Sequence, residues 1–199
     1  EEVRGLRDRS GRLIFSEGTT DESSLAGHDV HLAIDQAIQR VAERELDVAY
    51  RTYETKGASL VVMDPTTGDI LAMVSVPGFN PNDYGDAEPD ARRGRAVTDR
   101  FEPGSVMKVF TVAAAIAAGS LKPTDTIFCE HGNYSIGNVT IHDTHQNDWL
   151  TVTQILAKSS NIGSLKIGLA LGEPGLYGAY RRFGFGEPTG LPLPGEASG

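Results

Sequence analysis

Cysteine is almost missing from this 199-residue chain: Cys129 stands alone, so no intrachain disulfide can form and cysteine usage does not indicate a compartment. No run of 18 apolar residues occurs, and residue 1 stands inside a charged stretch, so neither a membrane span nor a targeting signal is expected within these residues. Basic charge is scarce. With 18 Lys and Arg against 27 Asp and Glu, the net charge is −9, which argues against the broad basic face that phosphate binding needs, so no nucleic-acid partner is expected. The one basic cluster, Arg92-Arg93-Gly94-Arg95, is flanked by acids and reads as a solvated loop or a set of local ion pairs. Internal repeats and low-complexity tracts are also lacking, which excludes solenoids and linker-like chains.

What is present describes a globular domain with a lead-in. Residues 1–27 are polar and broken by glycine, with a short strand expected around Leu13-Ile14-Phe15. Asp35 predicts the N-cap of a helix over 36–52, whose buried face is Ile38, Val41, Ala42, Leu46 and Ala49. A β-hairpin follows: the β-rich run 58–63, the turn Asp64-Pro65-Thr66-Thr67-Gly68, and a return strand over 69–76. A turn-rich loop reaches Arg95, and residues 96–100 predict a short helical approach. The Ala-rich run 109–118, ended by Gly119, predicts a buried helix. Residues 120–148 read as polar and irregular. A helix capped by Thr151 or Thr153 comes next, is interrupted at Lys158-Ser159-Ser160-Asn161, and resumes over 162–171. Pro174 opens another helix, with Leu176, Tyr177, Tyr180 and Phe183 on its apolar side, before a Gly- and Pro-rich loop to 199. This order predicts an α+β class: a small hairpin sheet plus an otherwise helical part. Two strands alone make a marginal sheet, so further strands are expected to be missing and the hairpin edges to be exposed.

Two clusters could carry chemistry. Pro103-Gly104 breaks the backbone just before the Ala-rich helix, which places Ser105 at its N-terminus with Lys108 one turn on, on the same face. Lys108 lies in an apolar run, and burial without a carboxylate partner lowers a lysine pKa, as a proton-accepting amine requires. A hydroxyl beside such an amine is a candidate nucleophile, although a serine in this position is also a common helix cap. The second cluster is Cys129, His131, His142, Asp143 and His145. Cys-x-His and His-x-x-His suit zinc, but the spacing fits no common ligand set and the Asn and Gly around it suit turns. Structural hydrogen bonding is favoured there, and no metal or cofactor is expected.

A Ser-x-x-Lys at a helix start (Ser105, Lys108), followed by Ser-x-Asn between two helices (Ser159, Asn161), resembles the active site of the penicillin-binding proteins and serine β-lactamases. Glu102-Pro103-Gly104-Ser105, the segment Asp64 to Met73, Phe79-Asn80-Pro81-Asn82, Ser159-Ser160-Asn161-Ile162-Gly163, Phe183-Gly184-Phe185-Gly186 and Thr189-Gly190 extend the resemblance over 28–199, to a class B penicillin-binding protein. The resemblance implies a peptidoglycan D,D-transpeptidase that cross-links stem peptides and is acylated by β-lactam antibiotics. Ser105 would be the nucleophile, Lys108 its proton acceptor and Ser159 a proton relay. Asn161 would hold the substrate amide and help position Lys108, so Ser105, Ser159 and Asn161 would all touch substrate. Thr98-Asp99-Arg100-Phe101 before the motif resembles the division-specific (septal) type. Membrane proteins of the division machinery would be its partners, at the outer face of the bacterial cytoplasmic membrane, with the anchor outside these residues. The family's third motif, Lys-Ser/Thr-Gly, does not occur here. The chain is therefore expected to be the N-terminal portion of a transpeptidase domain, inactive alone, with residues 1–27 ending a pedestal domain. A serine β-lactamase and a penicillin-recognising sensor remain the neighbouring readings.

Overall fold

In the computed structural model, which describes residues 5–9, 13–16, 27 and 29–198, Asp35 caps the first helix, α1 (Gln36–Thr52). Its carboxylate accepts from the Ala37 and Ile38 N–H groups at 2.8 and 2.9 Å. Ahead of α1, β1 (Gly5–Arg7) pairs antiparallel with β2 (Leu13–Ser16), which includes the strand expected near Leu13. Of the 1–27 lead-in, residues 1–4, 10–12 and 17–26 lie outside the described residues, as does His28.

The hairpin forms as expected. β3 (Ala58–Met63) pairs antiparallel with β4 (Ile70–Val76), from Ala58 opposite Val76 to Met63 opposite Ile70. Its turn closes because Asp64 accepts the Thr66 N–H at 2.7 Å and Gly68 takes a φ of 81°, a left-handed conformation glycine adopts freely. Helix α1 covers one face, Ala42 and Leu46 packing on Ala72, Val74 and Val76. The expectation of open edges is corrected for β4. The Asp35 N–H donates to Leu71 O at 2.9 Å, and the Gln39 amide bonds both the N–H and the C=O of Met73, so α1 occupies that edge. On the other face Val61 and Met63 are exposed.

After two 3-10 turns (Pro81–Asp86 and Pro89–Arg92), α2 (Arg95–Thr98) provides the short helical approach. In the basic cluster Arg93 and Arg95 form local ion pairs, each bonding Asp90 and Asp99, while Arg92 donates to the Ala87 carbonyl.

The second half is built on α3 (Met107–Ala117), α4 (Val152–Ala157) and α5 (Asn161–Arg182), around a core of Val112, Ala115, Cys129, Leu150, Val152, Ile155, Ile162 and Ile167. Thr151 caps α4 in a reciprocal box: it accepts the Gln154 N–H at 3.1 Å while the Gln154 side chain accepts the Thr151 N–H at 2.9 Å. At Gly172 (φ 68°) α5 breaks, two residues before Pro174, so it comprises the two helices expected there. The α+β class holds with more sheet than expected, and the reading of 120–148 as irregular is corrected. β5 (Thr126–Phe128) pairs with β8 (Trp149–Thr151), and β6 (Asn133–Ile136) with β7 (Val139–His142). These strands have three or four residues each, too few for an alternation to register.

Where α4 meets α5, no room is left. A Cβ at Gly163 would fall 2.6 Å from Ile155 Cγ1 and 2.7 Å from its Cδ1. Gly163→Ala is expected to destabilise the fold by about 1–3 kcal/mol through overpacking. Thermal unfolding checks this, and adding Ile155→Ala should make the pair less than additive.

Candidate active site

Gly104 (φ 61°) turns the chain into a 3-10 turn over Gly104–Val106 that runs on into α3. Ser105 lies exposed in this turn, and Lys108 lies half-buried one turn further on. The second pair comes from the α4–α5 junction. Ser159 takes a φ of 53°, a left-handed conformation that costs an ordinary residue about 1–2 kcal/mol. Ser160 then turns inward as the N-cap of α5, its Oγ accepting the Gly163 N–H at 2.9 Å.

All four expected residues come together. Lys108 Nζ donates to Ser159 O at 2.6 Å, to Ser159 Oγ at 2.9 Å and to Asn161 Oδ1 at 2.6 Å. Ser159 Oγ in turn donates to Ser105 Oγ at 3.0 Å. The hydrogen-bonded link between Ser105 and Lys108 thus runs through Ser159. Burial holds Lys108 below the ordinary lysine pKa, and the negative charge of Asp143 partly opposes this. Among the described residues no carboxylate pairs with Lys108, whose three partners are Ser159 O, Ser159 Oγ and Asn161 Oδ1.

Asp143, the residue after β7, holds the same junction. Its Oδ1 accepts the N–H groups of Asn161 and Ile162 at 2.6 and 3.0 Å, and its Oδ2 accepts the Ser160 hydroxyl at 2.6 Å. The carbonyl of His142 accepts Asn161 Nδ2 at 2.7 Å. In the sequence Asp143 is legible only as one member of a polar cluster. Its partners lie 17 to 19 positions away, and no local pattern links them.

The remaining members of that cluster disperse into structural contacts. Cys129 is buried, with its sulfur 3.6 Å from Ile127 O and 3.6 Å from Ser160 Oγ. His131 Nδ1 meets Asp148, His142 Nδ1 meets Asn133 Oδ1, and the His145 carbonyl accepts from Asn147. Among the described residues no three His, Cys, Asp or Glu side chains converge as metal ligands would. Next to Lys108 and Asn161, a mainly apolar groove of about 840 Å³ runs between α3 and α5, past Met107, Leu165, Leu176 and Tyr180.

Known proteins resemble this chain over most of its length. The model of the penicillin binding protein transpeptidase domain matches residues 58–199. The probable peptidoglycan D,D-transpeptidase PenA of Neisseria flavescens is 40% identical over 195 residues, covering 98% of this chain and 48% of that protein. The peptidoglycan D,D-transpeptidase FtsI of Escherichia coli K12 is 38% identical over 193 residues, covering 97% of this chain and 32% of that protein. The apo transpeptidase domain of Burkholderia pseudomallei penicillin-binding protein 3 superposes with a TM-score of 0.75 at 30% identity, covering 87% of this chain and 48% of that one. This chain thus spans a third to a half of the length of these curated relatives. Among the described residues no helix is long and apolar enough to cross a membrane. Because the family match covers most of the chain, on a fold that draws its two sequence motifs together, the chain belongs to the penicillin-binding protein transpeptidase domain family.

Proposed function

We propose that residues 28–199 are the N-terminal portion of the catalytic domain of a peptidoglycan D,D-transpeptidase working through an acyl-enzyme on Ser105, with residues 1–27 ending a pedestal domain. The observation that carries this reading is the hydrogen-bonded chain from Lys108 through Ser159 to Ser105. Ser105 Oγ attacks the carbonyl of the penultimate D-Ala of a stem peptide. Its proton passes to Ser159 as the Ser159 proton passes to neutral Lys108. At rest the hydroxyl hydrogens point the other way, and they reverse by rotation once Lys108 is neutral. The C–N bond to the terminal D-Ala then breaks, the proton returns through Ser159 to the leaving amine, and an ester remains on Ser105. The amine of a second stem peptide displaces Ser105 and completes the cross-link. The Ser105 N–H, in the turn that opens α3, is one donor to the developing oxyanion. Asn161 fixes Lys108 through Oδ1, and the second N–H of its Nδ2 engages the substrate backbone.

A β-lactam takes the same route, its ring amide standing in for the D-Ala-D-Ala bond. The residues before Ser105 resemble the septal type, and this resemblance supports a location at the outer face of the cytoplasmic membrane among membrane proteins of the division machinery.

The test uses the full-length protein with a D-Ala-D-Ala-terminated pentapeptide and a D-amino acid acceptor, read by mass. Exchange of the terminal D-Ala is the expected result. Catalytic penicillin hydrolysis without exchange would make it a β-lactamase. A persistent penicillin adduct without exchange would make it a sensor.

A further inference from the structure

We propose that Asp143 is a positioning residue for acylation: from the end of β7 its carboxylate clamps the first turn of α5, so that Ser159 and Asn161 stay aligned on Lys108. The proposal rests on the acyl-transfer reading above.

The hydrogen bonds at this helix start can be fully assigned. The first N–H groups of a helix have no partner within it. Ser160, the N-cap, supplies one acceptor and spends it on the Gly163 N–H. The Asn161 and Ile162 N–H groups go to a single oxygen of Asp143, and the other oxygen takes the Ser160 hydroxyl itself. Three consecutive residues are thus held by one carboxylate from a different element. A negative charge at a helix N-terminus is favourable in its own right.

The adjacent backbone completes the clamp. Asn161 Nδ2 donates to the His142 carbonyl, which fixes the amide so that Oδ1, the end that can accept, faces Lys108. Ser159 is held in its left-handed conformation between this clamp and the end of α4, with its Oγ between Lys108 and Ser105. A free junction would relax from that conformation and break the proton path.

Charge adds a separable consequence. Asp143, at the end of β7, acts on Lys108 through its charge. From α5 Lys108 is faced by the neutral Asn161 amide and, across the groove, by Glu173, Tyr177 and Tyr180. Asp143 is the carboxylate whose charge bears on Lys108, and it favours the ammonium. Replacing it with an amide keeps an oxygen for the two N–H groups but removes that charge.

The experiment measures the rate of fluorescent-penicillin acylation of the full-length protein against pH, for wild type, Asp143→Asn and Asp143→Ala, with a thermal melt on each. Asp143→Ala is expected to slow acylation by about 10- to 100-fold through misalignment of Ser159. Asp143→Asn should retain most of the plateau rate while its pH profile moves to lower pH, a shift that a purely structural residue would not cause. If Asp143→Ala does not fold, the Asp143→Asn profile decides. An Asp143→Asn profile that superimposes on wild type, or a folded Asp143→Ala at the wild-type rate, overturns the proposal. Wild-type protein that takes no label at any pH would instead remove the acyl-transfer reading on which it stands.

Discussion

Ser105→Ala in the full-length protein is expected to abolish covalent labelling by fluorescent penicillin while leaving the melting temperature almost unchanged. Both halves of this expectation follow from the position of Ser105. The residue is exposed, and among the described residues its hydroxyl has one partner, Ser159 Oγ at 3.0 Å. Removing an exposed hydroxyl of this kind changes stability by no more than about 0.5 kcal/mol. Removing a nucleophile costs on the order of 10⁴- to 10⁶-fold in rate. Labelling of the alanine variant at the wild-type rate would move the chemistry elsewhere.

Lys108 carries the second largest effect, and the informative substitution is Lys108→Arg. An arginine keeps the positive charge and offers donors to Ser159 and Asn161, but it stays protonated and cannot accept a proton. If Lys108 works as a base, Lys108→Arg and Lys108→Ala should both slow acylation by about 10²- to 10⁴-fold. If it works only as a positive charge, arginine should restore much of the rate. The wild-type pH profile gives an independent check. Burial lowers the Lys108 pKa because it disfavours the ammonium, so the neutral base is present at lower pH than on a free lysine. Acylation should therefore rise with pH through that lowered pKa and fall below it, where Lys108 is protonated. A rate that falls as Lys108 loses its proton would contradict the assignment. Stopped-flow labelling across pH distinguishes these outcomes.

Much of this arrangement is legible in the sequence because its longest elements carry strong signals. Asp35 and the apolar spacing of α1, the punctuated hairpin around Gly68, and the Ala-rich α3 between Pro103-Gly104 and Gly119 all follow from local chemistry. The interruption at Ser159 and the break near Pro174 are equally plain, since both depart from an apolar helical pattern. Ser105 and Lys108 stand out because a lysine is out of place in an apolar run.

What escapes the sequence depends on contacts between distant residues. The ladders over 126–151 join strands too short to show a period, and β5 meets β8 only across the intervening hairpin. Gln39 reads as an ordinary polar helix residue, yet it closes the edge of β4 at Met73. The spacing of Ser105 and Lys108 puts them on one face, whereas the Ser159 hydroxyl that bonds both is supplied by a left-handed turn far along the chain. Asp143 joins the site only when β7 is laid against the start of α5. In each case the residue type is visible in the sequence, and its partner comes from tertiary packing.

The most direct measurement is tryptic mass mapping of the full-length protein after brief exposure to penicillin. Cleavage after Arg100 and Lys108 releases the peptide Phe101-Glu102-Pro103-Gly104-Ser105-Val106-Met107-Lys108, in which Ser105 is the only hydroxyl. The account predicts the mass of one opened penicillin on this peptide, with fragment ions placing it on Ser105. An adduct on the peptide that begins at Ser159, or no covalent adduct on a folded protein, would contradict it.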